Sequence, residues 1–380
     1  MKRKNGYAIL KSIGKFLKDG LQMEQSVILI PALNPDDKLR LYVQELMQEG
    51  FSHIIIINDG SKEECNSIFE ALQDMGCIVI KHAINYGKGR ALKNGFNLFL
   101  NQYEQNPDIK GIITVDSDGQ HLVKDVLRMD EIIKNTSPDE DLLLLGTRNF
   151  DGTHVPLKSS FGNKMTSFLF ALLYGKKIHD TQTGLRGFTP PHVLRKFLTL
   201  KGERFEYETS MLIQAVRKKI RIEELPIETV YVNNNSETHF RPLQDSVIIY
   251  RILFGEFFRY LFSALSASAI DLLLFYLLAK QMPGTIGIWI ATACARLVSS
   301  FYNYSVNRKV VFESQGNMKQ TIWRYYGLCI IQAICSAALV SGFFLLLPLP
   351  KTLCKAIVDT VLFFISYQIQ RCFVFSEKSA

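Results

Sequence analysis

Two carboxylates one residue apart, Asp116 and Asp118, directly follow the apolar run at residues 111–115 (GIITV). On that spacing both side chains can meet one hard divalent cation, Mg2+ or Mn2+, that also holds a diphosphate. Such an ion would neutralise charge building on a departing nucleoside diphosphate. An ordinary acidic turn uses the same two residues, so the pair draws its meaning from what surrounds it. Asp59 closes a run of four isoleucines and Asn58, and suits a hydrogen bond to a nucleotide base or ribose. Gly87 and Gly89 flank Lys88 and let the backbone approach a phosphate where a helix begins, at its positive dipole end. A plain turn would also accept those glycines.

The elements that must position these residues are legible as an alternation. Residues 26–31 (SVILIP), 53–57 (HIIII), 77–81, 111–115 and 142–145 read as short buried strands. Residues 36–49, 63–75, 88–103 and 121–133 read as the helices between them. Such alternation predicts an α/β fold, a mixed but mostly parallel sheet with helices on both faces. Ligands of such sheets bind beyond the carboxyl ends of the strands. The loop after each strand is polar: Ala32-Leu33-Asn34, Asp59-Gly60-Ser61, Asn85-Tyr86-Gly87-Lys88-Gly89-Arg90, Asp116 to His121, and Gly146-Thr147-Arg148.

Together these loops resemble family 2 glycosyltransferases of the GT-A (Rossmann-like) fold, and within them the polyprenyl-phosphate (dolichol-phosphate) sugar synthases. The resemblance rests on Val27 to Asn34, Asn58-Asp59-Gly60-Ser61, Asn85-Tyr86-Gly87-Lys88-Gly89 and Asp116-x-Asp118-x-Gln120-His121. Gly146-Thr147-Arg148, Asp180-Thr181-Gln182-Thr183-Gly184-Leu185-Arg186 and Phe205-Glu206-Tyr207-Glu208 extend it. It implies that Pro31, Asn34 and Asp59 hold the nucleoside. Asp116 and Asp118 would sit at the metal and diphosphate with Gln120 beside them, and Lys88 near the phosphates. Arg148 would contact the acceptor phosphate, and Asp180, Gln182 and Arg186 would line the sugar side. His239 and Arg241 resemble an acceptor loop near the membrane. Two positions depart from the family pattern: Pro35 stands where an acidic residue is usual, and Asn58-Asp59 replaces paired aspartates. Base contacts are therefore less firmly indicated than metal contacts.

Chemistry points the same way for the acceptor. A phosphate monoester has a second pKa of about 6, so it arrives largely ionised and needs no strong base. Positioning and charge stabilisation would then carry most of the catalysis. Glu206 and Glu208 stand in reserve as groups that orient the sugar, or as solvated charges on a helix over residues 206–218.

The 380-residue chain is 47% hydrophobic, with a formal charge of +8, and the apolar residues are unevenly placed. Up to about Arg251 it reads as a soluble α/β domain, here bounded at 26–240. Residues 241–258 read as an interfacial amphipathic helix, and 259–380 as a membrane domain with spans at about 260–279, 285–304, 325–347 and 352–369, near the ~20 residues a bilayer needs. Basic residues 1–25 suit either a helix on the membrane surface or an inert leader. Arg308, Lys309, Lys319 and Arg324 share one loop, which predicts that loop, both termini and the transferase in the cytoplasm of a multi-pass cell-membrane protein. The positive charge carries no nucleic-acid motif. The 7 cysteines form no C-x-x-C pair and read as free thiols.

The membrane half contains a repeat. Phe258-Arg259-Tyr260 recurs as Trp323-Arg324-Tyr325, and Tyr304-x-Val306-Asn307-Arg308-x-x-Val311-Phe312 as Tyr367-x-Ile369-Gln370-Arg371-x-x-Val374-Phe375. This half resembles GtrA-like membrane proteins, which implies help in translocating a lipid-linked sugar. Arg296 and Asp359 fall at matching places in the repeat and are expected to pair. The expected reaction moves a hexose from a nucleotide sugar to undecaprenyl or dolichyl phosphate, with inversion, and UDP-glucose is preferred as donor. GDP-mannose as donor, a processive synthase, and a transporter or anchor with an inactive transferase half remain alternatives. The Q-x-x-R-W sequence of processive synthases is absent, and monomer and homo-oligomer both stay open.

Overall fold

The computed structural model describes residues 25–148, 157–228, 242–282, 284–346 and 350–376. The basic segment before Gln25, and His239 and Arg241, lie outside the described residues. The chain divides into two compact units, Met1–Leu172 with Lys176–Tyr250, and Leu173–Gly175 with Arg251–Ala380.

In the first unit, β1 (Gln25–Ala32), β2 (Ile54–Asn58), β3 (Ile78–Lys81), β4 (Ile109–Thr114), β5 (Leu142–Arg148), β6 (Arg186–Thr189) and β7 (Arg221–Ile227) form one sheet. Its order is β3-β2-β1-β4-β6-β5-β7. All neighbours run parallel except β6, which is antiparallel to both β4 and β5. Between strands lie α1 (Asp37–Gln48), α2 (Asn66–Asp74), α3 (Lys88–Tyr103), α4 (Val123–Asn135), α5 (Leu157–Tyr174) and α6 (Glu206–Arg217). Side chains alternate between faces along a strand. Ile28 and Ile30 of β1 join Leu39, Val43, Leu72, Val126 and Met129 in one core. Leu29, between them, faces Gly95 of α3 on the other side.

Register decides where the loops gather. Ala32 pairs with Asn58, and Asn58 with Lys81, so β1, β2 and β3 end level. The reversed strand β6 begins where its neighbours end: Arg186 stands beside Thr114 of β4 and Leu145 of β5. The segment before β6 is thereby delivered to the same carboxyl edge. Neither β6 nor β7 is evident in the sequence, because Arg186–Thr189 is short and Arg221–Ile227 is partly charged. The sequence does not announce α5 either. It exposes Phe161, Met165, Phe168 and Leu172, a stripe at helical spacing.

The second unit contains most of α7 (Pro242–Gln281), with α8 (Thr285–Val306), α9 (Met318–Leu346) and α10 (Lys351–Ile369). All four helices are long and apolar enough to cross a membrane. The interfacial stretch and first span expected at 241–258 and 260–279 are one continuous helix of 40 residues, with no proline after Pro242 to break it. The unit buries a few polar residues, Glu256, Ser263, Asn307 and Gln370, among aromatic ones such as Tyr304, Tyr325 and Phe375, while Phe262, Leu272, Trp289, Leu297 and Ile330 are exposed. An apolar exterior of this kind suits lipid as solvent.

The sequence repeat is a repeat in space. Both hairpins end in a π-helical turn, Asn307–Val311 and Gln370–Val374. The equivalent residues Asn307 and Gln370 hydrogen-bond to each other at 3.0 Å, and Phe312 stacks on Phe375 with centroids 5.2 Å apart. Tyr304 meets Thr321 at 2.7 Å, and its counterpart Tyr367 donates to Glu256 at 3.0 Å. Glu256 stands the same distance before Arg259 as Thr321 before Arg324.

The expected Arg296–Asp359 pair does not form. Arg296 Nη2 lies 3.4 Å from Asp271 Oδ2, and Ser299 donates to Asp271 Oδ1 at 2.8 Å. Asp359 pairs with Lys355 at 2.8 Å and accepts from Ser336 at 2.6 Å. At this level of the repeat each position faces its own partner helix, so Arg296 and Asp359 are each satisfied within their own hairpin. Asp271→Ala leaves Arg296 without its acid in mid-helix, a cost on the order of 2–3 kcal/mol. Asp359→Ala leaves Lys355, whose longer stem can reach headgroups from the first turns of α10. Melting of the purified protein should drop further for Asp271→Ala than for Asp359→Ala; equal drops would refute the assignment.

Candidate active site

The first part of the site is a brace made by Asp59. Its backbone N–H closes onto Ala32 at 2.9 Å, which sets it at the edge of the sheet. Asp59 Oδ1 accepts from Tyr86 N at 3.0 Å and Oδ2 from Gly87 N at 2.8 Å. His82 Nδ1 reaches Oδ1 at 2.7 Å, and Asn94 holds the other ring nitrogen at 2.8 Å. Both carboxylate oxygens are therefore engaged by the protein, and Asp59 is buried. Asp59 was expected at the base or ribose. In the structure its carboxylate shapes the loop that presents Lys88. Gly87 has φ +102°, a conformation open to glycine, and α3 starts at the next residue.

The expected nucleoside residues lie beside this brace. Pro31 is buried in β1, paired with Ile57. Asn34, at φ +49°, receives Lys62 N on its Oδ1 at 2.9 Å, and its own N–H donates to Ser61 at 2.8 Å. The loops after β1 and β2 are thus sewn together, with Asn34 itself exposed.

The charge centre lies beyond β4. Lys88 Nζ stands 2.7 Å from Asp116 Oδ1 and 3.0 Å from Glu208 Oε1. Burial disfavours the ammonium, but the two carboxylates outweigh it and hold Lys88 protonated well above its usual range. Burial likewise opposes ionisation of Asp116, yet Lys88 and His121 keep it ionised far below the ordinary carboxylate range. His121 Nε2 is 3.5 Å from Asp116 Oδ2. Asp118 shifts the other way: burial first, then the Asp116 charge, raise it. Its Oδ1 accepts the backbone N–H of Gln120 at 3.1 Å. Gly184 packs against Asp116 so closely that any Cβ would overlap the carboxylate.

Glu208, held in reserve by sequence, is therefore a buried partner of Lys88. Glu206 does something else, accepting from Glu203 N at 2.9 Å where α6 begins.

The third part is an arginine clamp. Arg148 grips Asp180 through Nε at 2.6 Å and Nη2 at 3.1 Å, a bidentate pair with Asp180 fully buried. Gln182 N donates to Asp180 Oδ1 at 3.1 Å, and the Gln182 side chain is exposed. Arg186, expected at the sugar, is only 1% exposed. It donates to the carbonyls of Thr183 (2.8 Å), Glu208 (2.9 Å) and Thr181 (3.3 Å). Arg186 thus staples the 180–186 segment to α6, a role that no sequence spacing reveals. Glu224 carries no sequence signal either. From β7 it accepts from Thr147 Oγ1 at 3.3 Å and from His179 N at 2.7 Å and Nδ1 at 2.8 Å.

Among the described residues no three His, Cys, Asp or Glu side chains form a metal cage. Two carboxylates alone still suit Mg2+ or Mn2+, which commonly take one or two from protein and the rest from phosphate and water. Asp118 stands close enough to Asp116 for burial and that neighbouring negative charge to raise its pKa, so a cation placed between them would favour ionisation of both. The donor set fits such an ion.

Glycosyl transferase family 2 matches residues 27–191, and the GtrA/DPMS transmembrane domain matches residues 259–375. The UDP-N-acetylglucosamine–dolichyl-phosphate N-acetylglucosaminyltransferase of Methanococcus voltae is 30% identical over 60% of this chain and 94% of its own length. The dolichyl-phosphate beta-glucosyltransferase of Saccharomyces cerevisiae is 26% identical, over 53% of this chain and 65% of its own. Among solved structures, GalNAc-T7 with UDP, GalNAc and Mn2+ aligns with a TM-score of 0.36 at 14% identity, covering 64% of this chain and 51% of that one. The chain belongs to the family 2 glycosyltransferases and joins that enzyme domain to a GtrA/DPMS transmembrane domain.

Proposed function

We propose that this enzyme transfers a hexose from a nucleotide diphosphate sugar to a polyprenyl phosphate, with inversion, at the cytoplasmic face of the cell membrane. The observation that carries the reading is the Asp116–Asp118 pair beside Lys88, at a sheet edge that also bears the Arg148–Asp180 clamp. The names of the Methanococcus and yeast relatives, both dolichyl-phosphate transferases, support the acceptor class.

In this reading Asp116, Asp118 and Gln120 would hold Mg2+ or Mn2+, which when bound would supply positive charge for the departing diphosphate. Lys88 adds a fixed charge beside it, and the start of α3 offers backbone N–H groups to phosphate. An acceptor phosphate oxygen forms the new bond to the anomeric carbon while that carbon's bond to the nucleoside diphosphate breaks. Asp116, Asp180 and Glu208 are each committed to a cation. None is offered as a nucleophile, so the reading takes a single displacement, and with it inversion. Pro31 and Asn34 border the nucleoside, and Gln182, the only exposed member of its segment's expected trio, faces the sugar. His239 and Arg241 remain assigned to the acceptor loop on likeness alone.

Membrane placement is supported by the four apolar helices, by the basic loop carrying Arg308, Lys309, Lys319 and Arg324, and by the exposed stripe of α5. The polar contacts of Asp271 with Arg296 and of Ser336 with Asp359, at mid-helix, support assisted translocation of the product. UDP-glucose is the preferred donor, with UDP-N-acetylglucosamine and GDP-mannose to be tested beside it.

Membranes given labelled donors and undecaprenyl or dolichyl phosphate should yield one labelled lipid; a polymer, or no product with any donor, would overturn the assignment. Chelation should abolish transfer and Mg2+ or Mn2+ restore it. Lys88→Met should lower kcat at least about 100-fold, the scale of losing one charge-stabilising group. Full activity in chelator, or in that variant, would contradict the charge-centre mechanism.

A further inference from the structure

Apart from the clamp, the carboxyl edge carries a second hydrogen-bonded rung that the mechanism above does not use. Glu224 of β7 takes both the backbone N–H and the ring Nδ1 of His179, at 2.7 and 2.8 Å, and also the Thr147 hydroxyl. Arg148 and Asp180, the next residues after Thr147 and His179, form the bidentate pair. The two rungs, Glu224–His179 and Asp180–Arg148, therefore lie side by side between the end of β5 and one short segment. That segment continues to Gly184, which packs on Asp116, and Thr114 fixes it by donating to the Gly184 carbonyl at 2.9 Å. His179 is thus tied by a continuous, hydrogen-bonded stretch to the proposed metal pair.

The ring itself is presented outward. The Glu224 carboxylate is mostly covered, with 22% of its side chain exposed, whereas the His179 side chain is 60% exposed. With Nδ1 committed to a carboxylate, only Nε2 is open to a ligand, and the ring's orientation is fixed by two contacts to one group. Lys176 and Lys177, both exposed, precede it. A histidine fixed in this way, with an arginine one rung away and lysines at its flank, is a preorganised anion contact.

We propose that His179 binds the phosphate of the lipid acceptor through Nε2, with Glu224 as its positioning residue. This rests on the acceptor class proposed above. The phosphate oxygens then have two directional donors, Arg148 and His179, on neighbouring rungs. The donor diphosphate is left to Lys88, the metal pair and the start of α3. Glu224 acts only through the ring: it holds Nε2 where the acceptor arrives and contributes nothing to the donor.

Full-length protein in lipid vesicles, assayed with undecaprenyl phosphate and the donor it uses, tests this. His179→Ala should raise KM for the lipid phosphate about tenfold, the worth of a hydrogen bond to a charged group, with donor KM within twofold. His179→Gln, whose amide can stand near Nε2, should recover part of the loss. Glu224→Gln should raise acceptor KM in the same direction while the melting temperature stays near that of the parent. Inorganic phosphate should inhibit the parent in competition with the lipid and inhibit His179→Ala less, if a free phosphate can take the same contact. An unchanged acceptor KM in His179→Ala, or a rise in donor KM instead, overturns the proposal. A parent protein inert toward every polyprenyl phosphate defeats the acceptor class itself, a result distinguishable from either.

Discussion

Lys88 stands between Asp116 and Glu208, and the geometry of the catalytic edge depends on that contact. Buried carboxylates are tolerated only with cations and hydrogen bonds against them, since burying each ion costs several kcal/mol. One ammonium shared by Asp116 and Glu208 leaves Asp118 dominated by burial and by a neighbour of its own sign, which is why its ionisation is resisted while that of Asp116 is favoured. In the proposed mechanism this carboxylate pair is where a divalent ion arriving with a diphosphate would be received.

Several features of the fold serve that contact. Asp59 bends the 85–87 loop so that α3 begins at Lys88. Arg186, stapled to three carbonyls, fixes Glu208 of α6 near β6 and lets Gly184 lie flat on Asp116. The reversed direction of β6 is what brings this segment to the edge at all, since a parallel strand would have delivered it to the opposite end. A parallel sheet supplies the floor, and one antiparallel strand supplies the wall.

Much of this was legible in the residues. Runs such as Ile54 to Ile57 declare buried strands by composition, and the bounds of α3 agree with the expected 88–103 because Gly87 marks its start. Asp116, Asp118 and Lys88 stand out by position after strands, and the structure brings them together. What stayed hidden was the use of individual side chains. Asp59 and Arg186 have the residue types of ligand contacts, and the structure shows each also bonded to backbone groups that no sequence periodicity exposes. Glu224 and His179 lie 45 residues apart and meet only because β7 adds beside β5. In the membrane unit the duplication was visible, but Arg296 and Asp359 each pair within their own hairpin, because equivalence in a repeat does not imply contact.

The central proposal is that Asp116 and Asp118 together receive a divalent cation that arrives with the nucleotide. Mn2+ binding to the purified protein, followed by electron paramagnetic resonance with UDP and with GDP, tests it directly. The parent protein should bind Mn2+ far more tightly when one of these nucleotides is present, and Asp118→Asn should weaken that binding by at least about tenfold, or 1.4 kcal/mol. Equal Mn2+ affinity in parent and variant would contradict the account.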